Sequence, residues 1–214
     1  MSITLQTLFH QLSVAELSNI SAGNNKDGTI NEKNQPAMVV HINDCLDMLY
    51  RKFSIRENFF IIEPIEGYDR YKISLDHAQS QIGITDGPHY IQDTVDDPFP
   101  DDLLQMIDAV DSEGNDYAFN DSLKPRSIHT PEWDVAQIPY AKEGVTVAIE
   151  YRAKPDKLDS CELDQIIDVP TVLVPAIRAY VAGMFFQNIG TQKSLQTGSS
   201  HLMRYELICQ DVLD

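Results

Sequence analysis

At 214 residues with 43% hydrophobic side chains, the chain is long enough to bury a full core in one domain, and its composition excludes disorder along most of its length. Its 16 basic residues against 33 acidic ones leave a formal charge of −17. That balance excludes a nonspecific grip on phosphate backbones through counterion release and fits a very soluble or DNA-repelling surface. Cys45, Cys161 and Cys209 are scattered, odd in number and without CxxC spacing, which points to a reducing compartment without a disulfide framework or a zinc site. The start at Met1 to Gln6 lacks the basic and apolar regions of a signal peptide, and Arg178 interrupts the most apolar run. The expectation is a soluble, intracellular product with no membrane partner.

In chain order, Leu5, Leu8, Phe9 and Leu12 predict a short amphipathic helix. Ser13 and Glu16 then have the spacing of a capping box, which predicts a break and a new helical start. Ser21 to Asn34, with Gly23 and Asp27-Gly28, is expected as a mobile loop. Pro36 opens a second helix whose stripe of Met38, Val39, Ile42, Leu46, Leu49, Tyr50 and Phe53 ends at Arg51 and Lys52, cations that complement the helix dipole.

From Asn58 the period shortens. Phe59 to Ile62 and Tyr71 to Leu75 are expected as strands of one hairpin, and Asp76 to Asp102, rich in Gly and Pro, as a long loop or arm. Leu103 to Val110 predicts a strand, Ser112 to Asn115 a turn into Tyr117–Phe119, and Ile128, Trp133, Val135 and Ile138 short extended pieces. Val145 to Tyr151 is the clearest strand. Apolar residues at Ile177, Tyr180, Val181, Met184 and Phe185 predict a core helix within Ile167–Gly190, with Pro170 and Pro175 at its start and Gly190 as a left-handed cap. A wetter helix over Ser194–Val212 follows, its first half weakened by Gly198.

The expected fold is therefore α+β. An α-helical bundle from the N-terminal (1–56) and C-terminal (169–214) helices carries an inserted small, mostly antiparallel β region (57–168) with a long loop at 76–102.

No phosphate loop, dinucleotide fingerprint, zinc-protease helix, nucleophile elbow or calcium loop occurs, so neither a catalytic residue nor a cofactor or metal ligand is assigned. His41 with Asp44 is a helical neighbour pair, and a hydrolase built on His41 or His129 lacks an assembled nucleophile and base. The acidic residues Asp93, Asp96, Asp97, Asp101 and Asp102, then Asp108, Asp111, Glu113 and Asp116, have the oxygen density of a cation site without its spacing. Trp133 and Tyr140, each near a proline, are candidates for an aromatic surface or a satellite core. Together these support a second reading, a calcium- or carbohydrate-binding β module associated with a tail.

Several short segments stand in a telling order. Glu16-Leu17-Ser18 follows the first helix, and Val40-His41-Ile42-Asn43 leads through Leu46 and Leu49 to Phe53. Then come Ile107 to Gly114, Phe119-Asn120-Asp121, Ile149 to Ala153, Val169-Pro170, Ala179 to Ala182, Ile189-Gly190 and Arg204-Tyr205-Glu206. From about Gln6 onward, outside Asp76–Asp102, this order resembles the head-to-tail adaptor proteins of tailed bacteriophages. The resemblance implies a virion protein at the head-tail junction, made in the bacterial host cytoplasm. It implies a homo-oligomeric ring, commonly of twelve copies, beneath the portal protein and above a downstream tail or nozzle protein. Genomic DNA would pass through the channel without specific binding. By segment, it makes Leu195, Leu202, Arg204, Tyr205 and Val212 candidates for docking to the portal. Tyr90, Phe99 and Trp133 become candidates for contacts with the tail or a neighbouring copy. The role is structural, not enzymatic.

Overall fold

The structure, a computed structural model, describes residues 3–18, 24–25, 29–139, 142 and 144–213. From the N-terminus run β1 (Ile3–Thr4), α1 (Leu5–Val14), β2 (Asn24–Asn25), β3 (Thr29–Ile30) and α2 (Gln35–Lys52). There follow β4 (Glu57–Ile62), β5 (Arg70–Lys72), β6 (Ile91–Gln92), β7 (Leu103–Asp111), β8 (Ala118–Phe119), β9 (Ser127–Glu132), β10 (Val135–Gln137) and β11 (Val147–Ala153). The chain closes with β12 (Ile166–Ile167), α3 (Val174–Ile189) and α4 (Gln192–Asp211). These elements divide into a terminal unit, Met1–Ile55 with Pro155–Asp214, and a sheet unit, Arg56–Lys154.

In the terminal unit α1 buries Leu5, Leu8, Phe9 and Leu12, the side chains whose spacing predicts it. Its N-cap is Thr4, whose hydroxyl accepts the Thr7 N–H at 3.2 Å. The capping box expected at Ser13–Glu16 does not form. The Ser13 hydroxyl donates back to the His10 carbonyl at 2.9 Å, and Glu16 turns instead toward two arginines described below. Of the polar stretch Ser21–Asn34, residues 21–23 and 26–28 lie outside the described residues; the remainder forms the β2–β3 pair and a turn of 3₁₀ helix at Glu32–Asn34.

Helix α2 buries Met38, Val39, Ile42, Leu46, Leu49 and Tyr50 of its predicted stripe, while Phe53 is the half-buried residue that caps its end; the Tyr50 hydroxyl donates to the Asp168 carbonyl at 2.6 Å. Asn43 clamps the returning chain, its amide group bonding both the N–H and the carbonyl of Leu158 at 3.0 and 3.1 Å. Residues 155–168 thus pack with the helices, and Ile3 pairs antiparallel with Ile167. The sheet unit ends at Lys154, earlier than the boundary at 168 expected from sequence.

Helix α3 is the most apolar element, with Pro175 in its first turn and Gly190 in the left-handed region at φ 76°. Thr171–Ile189 is long and apolar enough to cross a membrane by length and composition, so Arg178 alone does not disqualify it. The same segment buries Ala176, Ile177, Ala179, Val181 and Ala182 within the unit.

Helix α4 starts with a capping box in which Thr191 and Ser194 satisfy each other's backbone N–H groups. Its Gly198 is not a weak point. A methyl group there would lie 2.8 Å from the Gly183 carbonyl oxygen on α3, so the two glycines set how closely the helices approach.

The sheet unit has two four-stranded sheets, in orders β6-β4-β11-β7 and β5-β10-β9-β8. The first is antiparallel throughout, with β11 in its middle; the second contains the parallel pair β8–β9. The expected hairpin of β4 with β5 does not exist. Strand β4 pairs with β11 and β6, while β5 pairs with β10. One apolar core takes Phe60, Ile149 and Tyr151 from the first sheet and Tyr71, Ile128 and Ala136 from the second.

Residues 76–102 are not an arm. They form 3₁₀ turns at Leu75–His77 and Gln79–Gln81 and strand β6, and they send Ala78, Tyr90, Ile91 and Phe99 into the core. Asp93 fastens the segment, its carboxylate accepting the Ser80 N–H and hydroxyl, each at 2.6 Å, and the Phe99 N–H at 2.9 Å. At the stem of the unit the Ala153 N–H donates to the Arg56 carbonyl at 3.0 Å.

The expectation of an N- and C-terminal helical bundle with a small inserted sheet is therefore overturned. The chain is mixed α/β, its two larger sheets form a unit of their own, and strand pairs also stand among the helices. The physical reason is long-range pairing: β4 and β11 meet across nearly the whole sheet unit, which local periodicity does not register.

Candidate functional site

The five portal-docking candidates, four on α4 and Val212 at its C-cap, divide according to their place on the helix. Tyr205 is buried edge-on against Tyr180, their ring centroids 5.4 Å apart, and Leu202 is half-buried over Gly183, so both serve the α3–α4 contact. Val212 is half-buried, and Leu195 and Arg204 are exposed. The exposed apolar stripe of α4 runs through Leu195, Met203 and Leu207, of which Met203 is 67% accessible. Sequence reasoning missed the last two, although Met203 stands eight residues after Leu195 and Leu207 four after Met203, a spacing that carried the signal.

Arg204 belongs to a partly buried charge cluster. Its Nη1 lies 3.7 Å from Glu16 Oε1, and Arg178 Nε lies 3.8 Å from the same oxygen. The Glu16 side chain is only 5% exposed, and its second oxygen has no hydrogen-bond partner among the described residues. Nearby His201 stacks on Phe186 at 5.5 Å; burial lowers its pKa, while the Glu16 charge opposes that shift.

Two of the three sheet-unit candidates are corrected. Tyr90 is buried, stacked on His77 at 4.9 Å and edge-on to Tyr71 at 5.0 Å, with its hydroxyl donating to the Lys72 carbonyl at 2.8 Å. Burial raises its phenol above the ordinary range. Phe99 is buried edge-on to Phe60 at 5.7 Å. Both are core residues and offer no contact surface. Trp133 is exposed, with Lys154 Nζ 5.0 Å from its ring centroid. Tyr140 lies outside the described residues.

The acidic run is occupied with local structure. Asp93 holds its own loop, and Asp111 accepts the N–H groups of Glu113 and Asn115 at 3.0 and 2.8 Å, closing the turn after β7. These bonds hold the Asp111 carboxyl below its ordinary pKa. For Asp93, burial pushes the pKa up, but the Ser80 and Phe99 bonds together outweigh it and leave a net lowering. Among the described residues no three His, Cys, Asp or Glu side chains are grouped to hold one metal ion. His41 bonds Asn188 at 3.1 Å and is lowered by burial against the opposing charge of Asp44.

One further surface is prominent. On the face of the β4–β11–β7 sheet turned away from the core, a hollow of about 320 Å³ is lined by Phe59, Val110 and Ala148, with Glu57, Asp108 and Glu150 around it. Phe59 is 65% exposed there. No protein-family model matches the chain, and no curated protein matches its sequence.

Proposed function

We propose that the protein is a structural component of a phage virion: a head-to-tail adaptor that assembles as a ring below the portal, joins capsid to tail and lines the DNA channel. The observation that carries this reading is the ordered series of segments resembling such adaptors, from Glu16-Leu17-Ser18 to Arg204-Tyr205-Glu206. The exposed stripe Leu195, Met203 and Leu207 on a helix whose other side packs against α3 supports it, because an apolar face on an otherwise polar helix suits docking. A charge of −17 suits a channel that DNA crosses without adhering. Docking requires the α4 stripe to remain accessible until the portal is met.

Purified protein mixed with the portal of the same virion and imaged in negative stain tests the reading. Ring-shaped density added to portal particles is expected. Met203→Asp with Leu207→Asp should abolish the addition while leaving the far-ultraviolet circular dichroism unchanged. Portal particles that never gain density from the unmodified protein would sink the adaptor assignment.

A further inference from the structure

We propose that the hollow on the outer face of the β4–β11–β7 sheet receives the Asp121–Arg126 turn of a second copy of this chain, with Leu123 as the inserted side chain. The inference rests on the self-association contained in the adaptor reading and names the surfaces that make it.

The receiving side follows from strand register. Ala148 on the central strand lies opposite Ile61 on one neighbour and Val110 on the other, and Glu150 lies opposite Phe59 and Asp108. Alternation places all six on the face away from the core. A small alanine between larger flanking side chains leaves a floor that is apolar and recessed. Glu150 and Asp108 form a like-charge pair directly across two strands, an arrangement that weakens a sheet. Among the described residues no ion pair reaches either carboxylate. A cation supplied from outside relieves that repulsion.

The inserting side is an ordered turn between β8 and β9. The Asp121 carboxylate accepts the Leu123 N–H at 3.0 Å, its carbonyl accepts the Lys124 N–H at 3.2 Å, and its own N–H donates to the Ser127 hydroxyl at 3.1 Å. A turn so fixed has little conformational freedom left to lose on docking. Leu123 is 92% exposed, and Lys124 and exposed Arg126 stand within three residues of it. The sheet unit has only eight Lys and Arg against twenty Asp and Glu, so this turn is a basic point on an acidic body. Leucine suits the floor of the hollow, and Lys124 suits the Glu150–Asp108 pair. The two surfaces are different patches of one unit. Contact between copies is therefore heterologous and adds subunits in one direction until a ring closes.

Cross-linking of the full chain tests the contact in a Cys161→Ser background, which leaves only the buried thiols of Cys45 and Cys209. One protein carries Leu123→Cys and a second carries Val110→Cys; circular dichroism confirms that each is folded. Mixed under mild oxidation, the two should give a disulfide-linked mixed dimer in clear excess over either like-with-like dimer. Adding Lys124→Glu to the first protein should lower its yield on the order of tenfold, and Glu150→Lys in the second should restore it to within about twofold. A mixed dimer no more abundant than the like-with-like dimers, or a charge reversal without restoration, overturns the proposal and leaves the hollow to a different occupant. Portal-bound rings that lack this cross-link would overturn the contact and leave the adaptor reading standing. Cross-linked assemblies that never join portals would do the reverse.

Discussion

The two units handle charge in opposite ways. The terminal unit has a net −5, from eight basic and thirteen acidic residues, and it draws Glu16 inward beside Arg178 and Arg204. The sheet unit has a net −12 and uses carboxylates as backbone acceptors, with Asp93 and Asp111 each closing a loop around itself. A carboxylate balanced by arginines tightens packing between elements, whereas one balanced by N–H groups shapes a single segment and leaves the surrounding charge uncompensated. The sheet unit therefore carries most of the protein's negative field.

The units also carry separate optical reporters. Among the described residues all four α-helices lie in the terminal unit, so circular dichroism at 222 nm chiefly follows it, while the single tryptophan, Trp133, reports on the sheet unit. Tyr151→Ala should have the largest effect, about 4 kcal/mol, because it empties a fully buried ring site and removes the 2.6 Å hydrogen bond to Asp102. The fluorescence transition in urea should shift and the dichroism transition should not; a joint shift would mean the two units unfold as one. Gly198→Val should do the converse, lowering the dichroism transition by about 3 kcal/mol through overlap with the Gly183 carbonyl. Glu16→Gln should cost about 2 kcal/mol in the same transition, since it leaves Arg178 without its opposite charge.

The smallest expected effect is a difference in pH window. Burial lowers His41 and His201 below their ordinary value of 6.5, so the unfolded chain takes up these protons first. Their contribution is fully present above pH 6.5 and is lost as pH falls from there toward the lowered folded values. Asp93 and Asp111 are held below 3.8, so their contribution is present above 3.8 and is lost only as pH falls through still lower values. Melting at pH 7.5 and 5.5 should therefore show a drop in the dichroism midpoint and a steady fluorescence midpoint. Equal drops in both would erase the distinction.

The same division explains what the sequence made legible. The helix expected over Pro36–Phe53 is Gln35–Lys52, and Gly190 caps α3 as its position suggests, because a 3.6-residue period and a terminal glycine are local signals. Strands β7 and β11 were visible for the same reason, but their partners were not. Tyr90 and Phe99 sit among Gly, Pro and Asp, and nothing local distinguishes an aromatic that a folded loop carries inward from one left on the surface. Gly198 read as a weak helix position because its meaning lies on α3, in Gly183. Of the candidate contact residues, Leu195, Arg204 and Trp133 are exposed; Met203, Leu207, Phe59 and Leu123 come into view only once the packed faces are known.

The hydrogen bond between the Ala153 N–H and the Arg56 carbonyl places the entrance and exit of the sheet unit side by side. A segment whose two ends adjoin behaves in heredity as a cassette. It can be lengthened, exchanged or reduced to a short turn by a single recombination, while the helices encoded on either side keep their reading frame and their core. A lineage carrying this chain can thus renew the sheet unit wholesale and preserve the helices residue by residue.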